Sequence, residues 1–182
     1  MPQGLTKFLT HEEFLDLASF VAQLGKPGAY AIRKIPTVQR WRVLKSPGPE
    51  LTTEVPNVEV LREAVLDTKE SAWNTAYGMV AGTLPLNELR KGLQPTVLYL
   101  QGEIDIVEPG PVQVQITSTE PTHVWLDAEP FERQASFTKD LAKGKHTVTL
   151  RVEVVSAVEP QLKVEFQRPE GSRAQFVVVN GH

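Results

Sequence analysis

Chemistry in this chain must come from carboxylates, hydroxyls and imidazoles, because its 182 residues include no cysteine. That excludes disulfides, thiolate-bound zinc, a thiol nucleophile and covalent haem attachment within the chain. Asp127 and Glu129 stand two apart after an apolar run ending at Leu126 and could act as paired carboxylates. An aspartate that ends a strand and starts a turn is also common for purely local reasons. The histidines His11, His123, His146 and His182 have no metal-ligand spacing among them, and no metal site is expected. His146 stands where a strand begins, and a ring bonded to a turn backbone is its expected role. Ser118, Ser136 and Ser156 lack the glycine-flanked elbow of a hydrolase nucleophile. No glycine-rich loop leads into a helix as phosphate binding requires. If a sugar binds, an exposed Trp41, Trp73 or Trp125 would offer the stacking face and Asp127 would take its hydroxyls. The ligand-binding candidates are therefore Trp125, Asp127 and Trp73, and no residue is assigned a catalytic role.

The elements that must carry these residues are strands. Leu98, Leu100, Ile104 and Ile106 alternate with Gln101, Glu103 and Asp105, with a bulge or bend expected at Gly102. Val112, Val114 and Ile116 repeat the pattern, Val124 and Leu126 bracket Trp125, and two more runs follow, Val148 to Val154 and Leu162 to Phe166. Strict period two with charged partners predicts antiparallel strands wetted on one face, because buried parallel strands read as continuous apolar runs. Pro109-Gly110-Pro111, Lys143-Gly144-Lys145 and Glu159-Pro160 supply turns between them. The fold class is mainly β: an antiparallel β-sandwich preceded by one amphipathic α-helix.

That helix starts at a capping box, Thr10 to Glu13, and presents Phe14, Leu17, Val21 and Leu24 at helical spacing, with Leu15 and Phe20 widening the stripe before Gly25. A single helix of about 14 residues is not stable alone, so it must dock on the sandwich or on a partner outside this chain. Lys26-Pro27-Gly28 is a break, and the expected division is 1-27 for the helical piece and 28-182 for the sandwich. Between the two, Asn57 can cap a short helix in which Val58, Leu61 and Val65 share a face, although Val58 and Val60 also permit a strand. The segment from Trp73 to Leu86 reads as an extended stretch laying its aromatics against the sandwich. Arg33, Lys34, Arg40, Arg42 and Lys45 form a local basic run, readable as an anion site or as solvated faces of a strand and loop, and the second reading is preferred for so short a run.

Composition narrows the class further. The hydrophobic fraction of 41% supports one good core, and the formal net charge of −3 comes with both signs interspersed. No basic stripe with interleaved aromatics offers a nucleic-acid surface. No apolar run approaches the roughly 20 residues of a membrane span, and the first residues lack the pattern of a signal peptide. Read as a complete gene product the chain would be cytosolic and soluble.

Two stretches resemble known families. Met1-Pro2-Gln3-Gly4-Leu5, Leu9-Thr10, Glu13-Phe14-Leu15-Asp16-Leu17 and Phe20 resemble the end of a class I cytochrome c domain, closest to that of large secreted or membrane-bound dehydrogenase-like proteins of planctomycetes and their relatives. The run ending Trp41-Arg42-Val43-Leu44 and the W, Y, G, L-P-L order from Trp73 to Leu86 continue the likeness. The resemblance implies that Met1 is the distal axial ligand of a haem c whose C-x-x-C-H attachment motif lies upstream, that α-helical partners are missing from this chain, and that the protein is periplasmic or extracytoplasmic. Gly110, Val112 to Ile116, Ser118, Val124 to Asp127, Leu141, Gly144, His146 and Val148 to Leu150 are similar to the core of a PA14-type domain, a β-sandwich that in some members binds sugars. The adjacent aspartates that ligate calcium in one branch of that family are not visible here. The resulting expectation is the non-catalytic C-terminal part of a secreted multidomain haem c protein, with a free-standing carbohydrate- or surface-binding module as the alternative. An enzyme in its own right comes third.

Overall fold

The computed structural model describes residues 10–23, 35–90, 96–131, 135–155 and 158–180. The chain forms two compact units, Met1–Lys34 and Ile35–His182. The boundary expected after residue 27, the stop at Gly25 and Met1 all lie outside the described residues.

In the first unit, helix α1 spans His11–Gln23. Its start follows the sequence: the Thr10 amide donates to Glu13 Oε2 at 2.7 Å and the Glu13 amide to Thr10 Oγ at 3.2 Å. Two of the orphan donors at the helix start are satisfied in this way. The Thr10 amide, and then its hydroxyl, hold the Glu13 carboxyl below its ordinary range. None of the described residues of α1 is buried, and Phe14, Leu15, Leu17, Phe20 and Val21 are 42–57% exposed.

The second unit is built from eleven antiparallel strands among the described residues. They are β1 (Arg40–Leu44), β2 (Trp73–Tyr77), β3 (Leu84–Pro85), β4 (Thr96–Glu108), β5 (Gly110–Ser118), β6 (Thr122–Leu126), β7 (Glu129–Pro130), β8 (Ser136–Leu141), β9 (Gly144–Val154), β10 (Gln161–Gln167) and β11 (Gln175–Val178). One sheet of seven strands has the order β2-β1-β4-β9-β6-β7, with β11 also on β4. The other has the order β3-β10-β5-β8. The central core lies between them, where Leu98, Leu100, Ile104 and Ile106 meet Val112, Val114, Ile116, Leu162, Val164 and Phe166, all buried. The period-two reading therefore identifies the inner faces of β4, β5, β6, β9 and β10 correctly, and the fold is the antiparallel sandwich it implied.

Two expectations are corrected. Gly102 makes no bulge, because β4 and β9 pair without a break from Thr96↔Val154 to Ile106↔Gly144. It is small for a packing reason: a Cβ there would stand 2.7 Å from Val38 Cγ1. The second correction concerns wetting. The four-stranded sheet has one solvated face, but part of the seven-stranded sheet is covered on both. Helix α2 (Pro49–Thr52), helix α3 (Val58–Leu61) and a π-helical turn (Arg62–Leu66) lay Leu51, Leu61 and Val65 over Leu44, Trp73, Tyr99 and Trp125. Helix α3 starts as read, with the Val60 amide donating to Asn57 Oδ1 at 2.9 Å. Of its expected face, Leu61 and Val65 are buried while Val58 is 38% exposed. The stretch from Trp73 is extended as read and opens as the edge strand β2, paired along its length with β1, which buries Trp73 but leaves Tyr77 exposed.

Candidate functional site

Asp127 occupies the first position of the two-residue turn joining β6 to β7, where Leu126 pairs with Glu129. Its φ of 59° lies in the left-handed region that such hairpin turns require and that aspartate tolerates. The turn is tied to the start of β9. Asp127 Oδ1 accepts the Thr147 amide at 3.0 Å, the Asp127 amide donates to Thr147 O at 2.8 Å, and Oδ2 lies 2.8 Å from His146 Nδ1. The other ring nitrogen, Nε2, lies 2.8 Å from Ala142 O. Both nitrogens thus face acceptors, an arrangement that suits the doubly protonated ring. Burial pulls the His146 pKa down, but the bonds to Asp127 and Ala142 outweigh it and hold the value above 6.5.

This pair borders a groove of about 500 Å³ shared with Arg62, Glu129, Lys139 and Asp140. Its chemistry is limited by its own bonding. A general base needs a free lone pair facing substrate, and both imidazole nitrogens already face protein acceptors. Glu129 is paired with Lys139 and Asp127 with the His146 ring, so the carboxylates read as a possible pair have separate partners. Ser118 Oγ donates to Glu120 O, and Ser136 Oγ accepts from Gln113, so neither serine is hydrogen-bonded to the histidine. Ser156 lies outside the described residues. Among the described residues no group of three or more metal-ligating side chains comes together.

The tryptophans expected to stack a ligand are a correction. Trp41, Trp73 and Trp125 are 0%, 7% and 3% exposed. Trp41 belongs to the inter-sheet core, while Trp73 and Trp125 are roofed by the helical segment from residue 49 to 66. The outward position of Trp125 on β6 is hydrophobic because it is a second core, not because it meets solvent. Asp127 therefore has no exposed tryptophan beside it. His146, in contrast, bonds a turn carbonyl as its position suggested, and its partnership with Asp127 was not legible from residues 19 apart in the chain.

Also missed was a buried polar cluster on the same covered face. Arg151 is 2% exposed and donates through Nε to Leu51 O at 3.2 Å and through Nη2 to Thr52 O at 3.3 Å, while Nη1 pairs with Glu153. Tyr99 donates its hydroxyl to Leu51 O at 3.0 Å, and burial pushes its pKa up to about 12. These groups cap the carbonyls at the end of α2 and hold the roof on the sheet. The local basic run is split. Lys45 donates to Ser71 O at 2.7 Å, Arg40 and Arg42 lie on the outer face of β1, and Arg33 and Lys34 fall outside the described residues.

Covalent haem does not fit this chain, which has no cysteine to attach it. No family model and no curated protein matches the sequence. Among solved structures it is similar to the selenomethionine-labelled β-glucosidase from Kluyveromyces marxianus, with a TM-score of 0.43 and 10% identity over 80% of this chain. The glucose complex of β-glucosidase from the same organism gives 0.45 and 10% over 71%. The chain spans only 15% and 16% of those chains. Likenesses this remote assign neither an activity nor a ligand. No helix among the described residues is long and apolar enough to cross a membrane.

Proposed function

We propose that this chain is the non-catalytic C-terminal part of a secreted, multidomain electron-transfer protein. In this reading the sandwich is an accessory domain and α1 is the last helix of a haem-binding domain that precedes it. The observation that carries the reading is α1 itself. It is capped by its own box, yet five large apolar side chains at helical spacing are each more than two-fifths exposed. A stripe that wide belongs to a helix that packs against others, and a helix of this length does not persist unaided. The resemblance to a cytochrome c domain assigns Met1 as an axial thioether ligand, which raises the potential of a haem it binds. The haem and its proximal histidine would both belong to the upstream domain.

The test is to extend the protein upstream and purify it from a host that matures haem c. The expected result is a low-spin spectrum with a methionine-ligation band, which Met1→Ala removes while the haem stays attached. An upstream sequence without C-x-x-C-H, or a spectrum unchanged by Met1→Ala, would overturn the reading.

A further inference from the structure

Beyond the roof, the outer face of the seven-stranded sheet opens into a pocket of about 190 Å³. Strand register builds it. Arg42 on β1 pairs with Thr75 on β2 and Gln101 on β4, which brings Arg40, Arg42, Trp73 and Thr75 beside Glu103 on β4 and Lys145 on β9, with Glu70 completing the wall. The Arg42 guanidinium lies over the Trp73 ring, 4.8 Å from its centre. That stacking fixes the plane of the fork without using its in-plane donors. The Arg42 Nη1 to Glu103 distance is 3.9 Å, too long for a hydrogen bond. Arg42 Nε is buried with no acceptor, and so is Nε1 of Trp73, itself 7% exposed. Two buried donors here, Arg42 Nε and Trp73 Nε1, thus have no acceptor, which an oxyanion would supply.

We propose that this pocket binds a small sugar acid, its carboxylate on Arg42 between Arg40 and Lys145 and its hydroxyls on Thr75, Glu70 and Glu103. The charge balance selects the anion. Three cations and two carboxylates line the pocket, leaving one positive charge over. A single carboxylate neutralises that surplus, whereas a phosphate dianion would leave the pocket with a net negative charge. The same glutamates accept hydroxyl donors that a simple aliphatic acid lacks. Size selects a monosaccharide, since the volume falls below the roughly 300–1,000 Å³ of sites for larger ligands. This inference stands independently of the helix and of any haem domain.

Calorimetric titration of the full chain with glucuronate, glucose and inorganic phosphate at constant ionic strength tests it. Glucuronate is expected to bind saturably, glucose and phosphate at least about tenfold more weakly, and Arg42→Gln to weaken glucuronate by about tenfold or more. Lys145→Glu, at an exposed side chain, reverses the surplus charge and should abolish binding even if the Arg42 variant folds poorly. No saturable glucuronate binding, phosphate or glucose binding as tight as glucuronate, or affinity unchanged in both variants would overturn the proposal.

Discussion

The two sheets of the sandwich carry the same alternating pattern and put it to different uses. In the four-stranded sheet, Gln113, Gln115, Thr117, Lys163 and Glu165 alternate with buried Val112, Val114, Ile116, Leu162 and Val164 and lie on a partly or fully solvated face. In the seven-stranded sheet, Tyr99, Gln101, Thr149 and Arg151 occupy the equivalent outward positions and are at most 3% exposed. Polarity in the outward register therefore marks the face that is not the main core. It does not mark the face that is wet. What decides is whether another element brings acceptors, and α2 does so by ending over β4 and β9 with Leu51 O and Thr52 O turned to Tyr99 and Arg151.

The contrast predicts unequal costs for outward substitutions. Arg151→Ala should destabilise by about 2–4 kcal/mol, because it empties buried volume and removes the Arg151 donor from Thr52 O, while Leu51 O keeps only Tyr99. Thr117→Val on the outer face of the four-stranded sheet should stay within about 0.5 kcal/mol. Tyr99→Phe falls between them at about 1 kcal/mol, since Arg151 Nε still serves Leu51 O after the hydroxyl is gone. Urea unfolding midpoints at constant m-value would rank the three. Equal costs for Arg151→Ala and Thr117→Val would erase the distinction between the sheets.

The same contrast explains what could be read from the sequence. Alternation at Leu98 to Ile106 or Leu162 to Phe166 reports which residues share a face, and the inner faces of β4, β5, β6, β9 and β10 follow from it. Of the roof, the Asn57-capped helix with Leu61 and Val65 on one face is legible, but its place over Trp73 and Trp125 is not, and Leu51 lies in a four-residue helix without a period. With that placement unseen, Trp73 and Trp125 passed as exposed platforms. The site residues meet through register. Asp127 and His146 are joined because β6 pairs with β9, and Arg42 reaches Thr75 because β1 pairs with β2. Pairing between distant strands leaves no local mark in the chain.

A smaller effect separates the tied turn of the seven-stranded sheet from the rest. A histidine held above 6.5 contributes stability in full below that pH, and the contribution fades as pH rises through the higher folded value. Asp127→Asn keeps the left-handed turn and an acceptor for Thr147 but removes the charge facing the ring. It should therefore lower the melting temperature more at pH 6 than at pH 9. With Asp127 about half exposed, the difference is expected to be under about 1 kcal/mol. A pH-independent loss would mean that His146 is held neutral.

The claim on which the account turns is that the sandwich is a body of its own and that the apolar face of α1 belongs elsewhere. Thermal unfolding of Ile35–His182 beside the full chain tests it most directly. The sandwich already contains both cores and all the strands described, so the account predicts a single cooperative transition within about 2 °C of the full chain. A drop of about 5 °C or more in the truncated protein, equivalent to roughly 1 kcal/mol or more for a domain of this size, would show that α1 is part of the sandwich and would contradict the account.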